Sequence, residues 1–182
     1  GSAGSGGVGG REAARGGDIS VTTGDVTALS AGGDGIVVLA NSLTGNVNVV
    51  ANGDIQAGSA GILTTIATAA GTGHISVTAN GAVNAGSGII ATNNGVGSTT
   101  VTAVGPINAT TGNGIFALTH SGAVDVTAGN VSGRIGIFAH NLFAGTISVT
   151  TSGAVTGTLA EGVVATGNGA VTVTIADTVT GA

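Results

Sequence analysis

The sequence predicts an all-β fold: a parallel β-helix, or β-solenoid, of about seven rungs with three short strands per rung. Three observations support this prediction. A valine, isoleucine or threonine returns every 23 to 28 residues, and its neighbours return with it. Each repeat contains three short apolar stretches. Short corners rich in glycine, asparagine and serine separate these stretches, and glycine fills 37 of the 182 positions.

Residues 146–169 (TISVTTSGAVTGTLAEGVVATGNG) show one complete repeat. Ile147 and Val149 alternate with Ser148 and Thr150. Because successive strand residues point to opposite faces, we expect the aliphatic side chains inside and the hydroxyls outside. The seven repeats start at Ile19, Val47, Ile75, Thr99, Val124, Ile147 and Val171.

The same alternation predicts the strands of every repeat. First strands are predicted at 19–23, 47–51, 75–79, 99–103, 124–128, 147–150 and 171–175. Second strands are predicted at 26–28, 55–57, 83–85, 107–109, 131–133, 155–157 and 179–181. Third strands are predicted at 35–40, 61–66, 88–92, 114–119, 136–140 and 162–165.

Such short strands and corners favour coiling over hairpins or βαβ units. One rung cannot bury its own apolar face, whereas stacked rungs can. In the fourth repeat Thr99 takes the isoleucine position, where its methyl group can still face the core. Pro106, the only proline, stands at a corner where a missing N–H costs least. We expect the corner glycines to supply positive φ angles.

Composition divides the chain into two parts and excludes some partners. Residues 1–17 are predicted to form a flexible Gly-rich arm, and residues 18–182 a solenoid that we expect to be a fragment of a longer one. The net charge is −5, and residues 18–182 hold seven carboxylates but one arginine. We therefore do not expect the chain to bind nucleic acid, because such binding needs a row of basic side chains.

The repeats resemble the passenger repeats of bacterial autotransporter adhesins and haemagglutinin-like secreted proteins. GDISVTTGDVTA (17–28), GHISVTANGAVNAGSGIIA (73–91) and GNGIFAL (112–118) carry the resemblance, which covers residues 17–182. It implies a right-handed β-helix, displayed extracellularly at the bacterial surface, whose parent protein ends in a C-terminal outer-membrane barrel. It also implies a non-enzymatic structural or adhesive rod.

Two other functions stay open as alternatives. A carbohydrate-active β-helix enzyme needs carboxylates gathered on one face; here they are scattered singly, at Asp18, Asp25, Asp34, Asp54, Asp125, Glu161 and Asp177. An ice- or water-ordering surface would use the outward Ser/Thr residues of the first strands, such as Ser76 and Thr78. That array is interrupted by Asn48, Val50 and Asp125.

No enzymatic, metal or cofactor site is predicted. Asp25 and Asp54 fall at the same corner of adjacent rungs, but the glycine spacing of calcium-binding nonapeptides is missing. The three histidines, His74, His120 and His140, share no column and lack a third zinc ligand.

An apolar row on the third strands is the predicted binding surface, because alternation places it outside and contiguous apolar patches usually mark contacts. We name it the apolar ridge; it consists of Val37, Leu63, Ile90, Phe116, Phe138 and Val164. Phe116 and Phe138 are its expected anchors. The expected partners are a protein or glycan on a host or neighbouring cell, with self-association along the rod as a further possibility.

Overall fold

The computed structural model describes residues 17–41 and 43–182. The predicted arm therefore lies outside the described residues, except for Gly17. In the described part the secondary structure consists of strands, numbered β1 to β20 in chain order. No helix there is long and apolar enough to cross a membrane.

The strands form three parallel sheets, and each rung gives one strand to each sheet. The first sheet contains β1 (Ile19–Thr23), β4 (Val47–Ala51), β7 (Ile75–Ala79), β10 (Thr99–Ala103), β13 (Val124–Ala128), β16 (Ile147–Thr151) and β19 (Val171–Ile175). The second contains β2 (Val26–Ala28), β5 (Ile55–Ala57), β8 (Val83–Ala85), β11 (Ile107–Ala109), β14 (Val131–Gly133), β17 (Val155–Gly157) and β20 (Val179–Thr180). The third contains β3 (Ile36–Ala40), β6 (Ala60–Ile66), β9 (Ser87–Asn93), β12 (Ile115–Thr119), β15 (Ile137–Asn141) and β18 (Val163–Thr166).

The predicted β-solenoid is confirmed. Six complete turns of three strands are followed by the first two strands of a seventh. Each repeat pairs with the next at equivalent positions, as Ile19 does with Val47 and Val47 with Ile75. The predicted strands agree with the observed ones to within one residue at their ends.

The core consists of stacked columns of small aliphatic side chains. Ile62, Ile89, Ile115 and Ile137 are fully buried and pair in register from rung to rung. Each such residue contributes roughly 1.5–3 kcal/mol through burial of its apolar surface. Thr99 is buried in its column as predicted, and its hydroxyl donates to the Leu118 carbonyl at 3.1 Å.

Our expectation that the corner glycines supply positive φ angles is wrong for most of them. Among the described residues, positive φ occurs only at Gly32 and Gly145. For one column of glycines, the close approach of neighbouring rungs explains why no side chain fits. One glycine lies directly before the first buried isoleucine of each of five third strands, and an added Cβ there would collide with the carbonyl oxygen of the next glycine in the column; these are Gly35, Gly61, Gly88, Gly114 and Gly136.

Three buried polar side chains close the corners after the third strands. Asn93, Thr119 and Asn141 are the last residues of β9, β12 and β15; their side chains are buried, and they pair in register. Asn93 Nδ2 donates to the Gly73 carbonyl at 2.9 Å, and its Oδ1 accepts from Gly95 N at 2.9 Å. These side chains therefore satisfy main-chain groups that a narrow corner leaves without a partner.

Side-chain acceptors also link successive rungs at the corner before the second strands. Asp25 Oδ1 accepts from Asp54 N at 2.9 Å, and Asp54 Oδ1 accepts from Ala82 N at 2.8 Å. Ala82 has no side-chain acceptor, and the residue that follows it in the column is Pro106, which has no N–H. The chain thus places its one proline where the rung before it offers no side-chain acceptor.

Replacement of Asp54 tests this link. We expect Asp54→Ala to lower the free energy of unfolding by about 1 kcal/mol, because Ala82 N loses its acceptor. Asp54→Asn keeps an acceptor oxygen, as Asn130 does for Ala154 N, and is expected to lose less than half as much. Urea denaturation of both variants measures the difference; equal losses would show that the hydrogen bond is not the cause.

Candidate interaction surface

The apolar ridge forms one continuous row on the outer face of the third sheet. Its six residues pair successively in register, from Val37 with Leu63 to Phe138 with Val164. At about 4.8 Å between rungs, the row is about 24 Å long. All six side chains are half-buried, so the ridge presents a low apolar strip.

The two phenylalanines form the centre of an aromatic stack. The Phe116 and Phe138 ring centroids lie 5.3 Å apart with an interplanar angle of 6°. The Phe138 ring also stacks on His140, at 5.8 Å and 7°. His140 Nδ1 lies 2.7 Å from Thr166 Oγ1 in the next rung. The rings therefore hold one another in fixed positions, so their contact area costs little conformational entropy on binding.

A cavity of ≈ 240 Å³ opens beside the ridge, between the third and fourth rungs. It is lined by Ser87, Ile90, Asn113 and Phe116. Ile90 and Phe116 are register neighbours in the ridge, while Ser87 is the first residue of β9 and Asn113 lies at the corner before β12. The main chain of this corner is tied between rungs, since Gly88 N donates to the Asn113 carbonyl at 3.0 Å.

The most exposed large apolar side chains lie at corners, and the alternation used for the prediction does not reach them. Leu159 is 73% exposed, compared with the half-buried ridge residues. Phe143 packs against the His120 ring, with centroids 4.3 Å apart. The other exposed corner residues are Leu29, Leu43, Val96, Val104 and Leu142. In the sequence, only an apolar side chain at a predicted corner could have indicated that these residues are exposed.

The Ser/Thr residues of the first sheet lie outside in two rows. One row pairs Ser76 with Thr100 and Thr100 with Asp125; the other pairs Thr78 with Thr102 and Thr102 with Thr127. Asn48 and Asp125 interrupt the first row, and Val50 interrupts the second. The hydroxyls therefore share one face without forming an unbroken lattice.

Four of the carboxylates link successive rungs through hydrogen bonds. Asp18, Asp25, Asp34 and Asp54 each accept a main-chain N–H from the following rung, at 2.8–2.9 Å. His74 has a similar position: its Nδ1 accepts from Ser98 N at 2.9 Å. Across residues 17–41 and 43–182, no three His, Asp or Glu side chains gather into a group that could hold a metal ion.

Comparisons of the chain with protein-family models, with curated proteins and with solved structures found no match. The fold and the geometry of the surface therefore carry the functional argument.

Proposed function

We propose that the chain is a non-enzymatic rod segment of a secreted bacterial surface protein, of the autotransporter-passenger type, and that the apolar ridge is its adhesive surface. The observation that supports this proposal is the unbroken register of the ridge over six rungs. The resemblance of the repeats to adhesin passengers supports the surface location.

A row of this kind suits weak, repeated contacts. Equivalent side chains recur about every 4.8 Å along the rod, so a partner finds the same chemistry at each step. Contacts made together on one rigid scaffold gain avidity without any single strong site. The partner would be a protein or glycan on a host or neighbouring cell.

Within the ridge, the energy is expected to concentrate at the aromatic pair. Aromatic side chains dominate many binding surfaces because a large, stiff apolar area is buried at small entropic cost. The stacked rings of Phe116 and Phe138 provide that area at the fourth and fifth of the six positions in the row. The aliphatic residues on either side would exclude water from the contact.

Bead adhesion tests the proposal. We expect beads coated with the purified chain to be retained on epithelial or bacterial cell layers, and Phe116→Thr with Phe138→Thr to reduce retention about ten-fold, the effect of losing about 1.4 kcal/mol of contact energy. Threonine keeps β propensity, and Thr65 and Thr92 already occupy the neighbouring outward row.

The matched control is Val104→Thr with Leu159→Thr, which removes exposed apolar area from two corners. Circular dichroism and thermal melts of each variant show whether the solenoid is retained. Equal retention of the ridge variant and the wild type, both folded, would refute the adhesive role of the ridge.

A further inference from the structure

The cavity beside the ridge has two walls of different chemistry. Ile90 and Phe116 form the apolar wall, and Ser87 and Asn113 form the polar wall. The Phe116 ring is stacked against Phe138 in the following rung, while its register neighbour in the preceding rung is Ile90, which has no ring. The Phe116 ring therefore has the Phe138 ring on one side and the shorter Ile90 on the other, and it lines the cavity together with Ile90.

The polar wall has unused hydrogen-bonding capacity. Among the residues that the structure describes, none forms a hydrogen bond with the Ser87 hydroxyl or with the Asn113 side-chain amide. A hydroxyl both donates and accepts, and an amide offers two N–H donors and a carbonyl acceptor. Together they match a ligand whose own groups both donate and accept, such as neighbouring hydroxyls.

The four lining residues exclude other ligand classes. None of them is charged, so an anion or cation would lose hydration without gaining a counter-charge. The lining is mainly apolar, so one side of the ligand is expected to be apolar, while hydroxyl groups of the ligand could pair with the Ser87 hydroxyl and the Asn113 amide. The volume is below the roughly 300–1,000 Å³ of pockets for drug-sized molecules, so the site suits a single ring.

We propose that this cavity binds one pyranose ring of a neutral saccharide. The C–H face of the sugar would lie against the Phe116 ring, whose π face carries partial negative charge. Its hydroxyls would bond to the Asn113 amide and the Ser87 hydroxyl. This inference rests on the proposed adhesive function and deepens it, because it makes a glycan the partner of the ridge.

Saturation-transfer NMR on the purified chain tests the site, with the methyl glycosides of glucose, galactose, mannose and N-acetylglucosamine as probes. We expect at least one to receive saturation at its ring C–H protons, with a dissociation constant of about millimolar, as is usual for so small a ligand. Asn113→Ala and Phe116→Leu are each expected to weaken binding at least about five-fold. The matched controls are Asn168→Ala and Phe143→Leu, both exposed corner residues, which should leave binding unchanged.

Absence of saturation for all four glycosides overturns the proposal, and so does binding that both cavity variants retain. The bead assay separates this failure from failure of the proposed function. Bead retention that depends on the ridge, without glycoside binding, would remove the saccharide site and keep the adhesive rod. Glycoside binding without bead retention would keep the saccharide site and refute the adhesive role of the rod.

Discussion

Gly114→Ala is expected to lower the free energy of unfolding by about 3 kcal/mol or more, the upper range for overpacking a rigid site. The added Cβ would lie 2.6 Å from the Gly136 carbonyl oxygen and closer still to a Val131 methyl group. The carbonyl belongs to the ladder that joins two rungs, so it cannot move aside without breaking hydrogen bonds. The midpoint of urea denaturation measures the loss.

Gly24→Ala is the matched control. No heavy atom other than its chain neighbours lies within 4 Å of a Cβ built at Gly24. We expect this variant to be unchanged or stabilised by about 0.4–1 kcal/mol, because alanine restricts the unfolded chain. If Gly114→Ala unfolds at the same urea concentration as Gly24→Ala, close approach between rungs is not the reason for the glycine column.

Asn93→Leu is expected to cost about 3 kcal/mol, although leucine is similar in size and more apolar. The side chain is fully buried, and its Nδ2 donates to the Gly73 and Gly97 carbonyls at 2.9 and 3.2 Å. Leucine would leave the Gly73 carbonyl and Gly95 N without a partner, whereas the Gly97 carbonyl would keep the Thr119 hydroxyl as its donor. Each buried group left unpaired costs about 1–3 kcal/mol.

Asn168→Leu serves as its control, since Asn168 is an exposed corner residue. Thermal melting and urea denaturation of the two variants give the comparison. A stability of Asn93→Leu equal to that of Asn168→Leu would mean that water or a local rearrangement satisfies the corner, and that the buried amide is dispensable.

Much of the fold could be predicted because one periodicity controls both the strands and their stacking. Ile147 and Val149 indicate a strand by alternation, and the spacing to Val171 indicates the next rung. The corners could not be predicted in the same way. Many of their hydrogen bonds join residues 20 to 29 positions apart, as between Asn93 and Gly73 or Asp25 and Asp54, and only the register brings these groups together. The right-handed coil stays a prediction.

The candidate surface also has one part that the periodicity predicts and one part that it does not. The ridge could be predicted because Phe116 and Phe138 occupy equivalent outward positions of successive repeats. The cavity beside it depends on a difference in side-chain size between Ile90 and Phe116. It also depends on Ser87, at the start of β9, and on the corner residue Asn113, and neither belongs to the alternating apolar pattern. Repetition thus predicts the shared surface, whereas the one distinctive site on it arises where the repeats differ.

The pairing of Ala82 with Pro106 has a consequence for how this chain can vary. Loss of the rung that contains Ala82, or an exchange that placed Pro106 directly after Asp54, would leave the Asp54 carboxylate facing a residue without an N–H. The rungs are therefore not freely interchangeable modules: each acceptor restricts which residue can occupy the corresponding corner of its successor. A duplication or recombination that moves neighbouring rungs together preserves these hydrogen bonds, whereas one that separates them can lose a hydrogen bond. The order of the repeats therefore affects the stability of the rod.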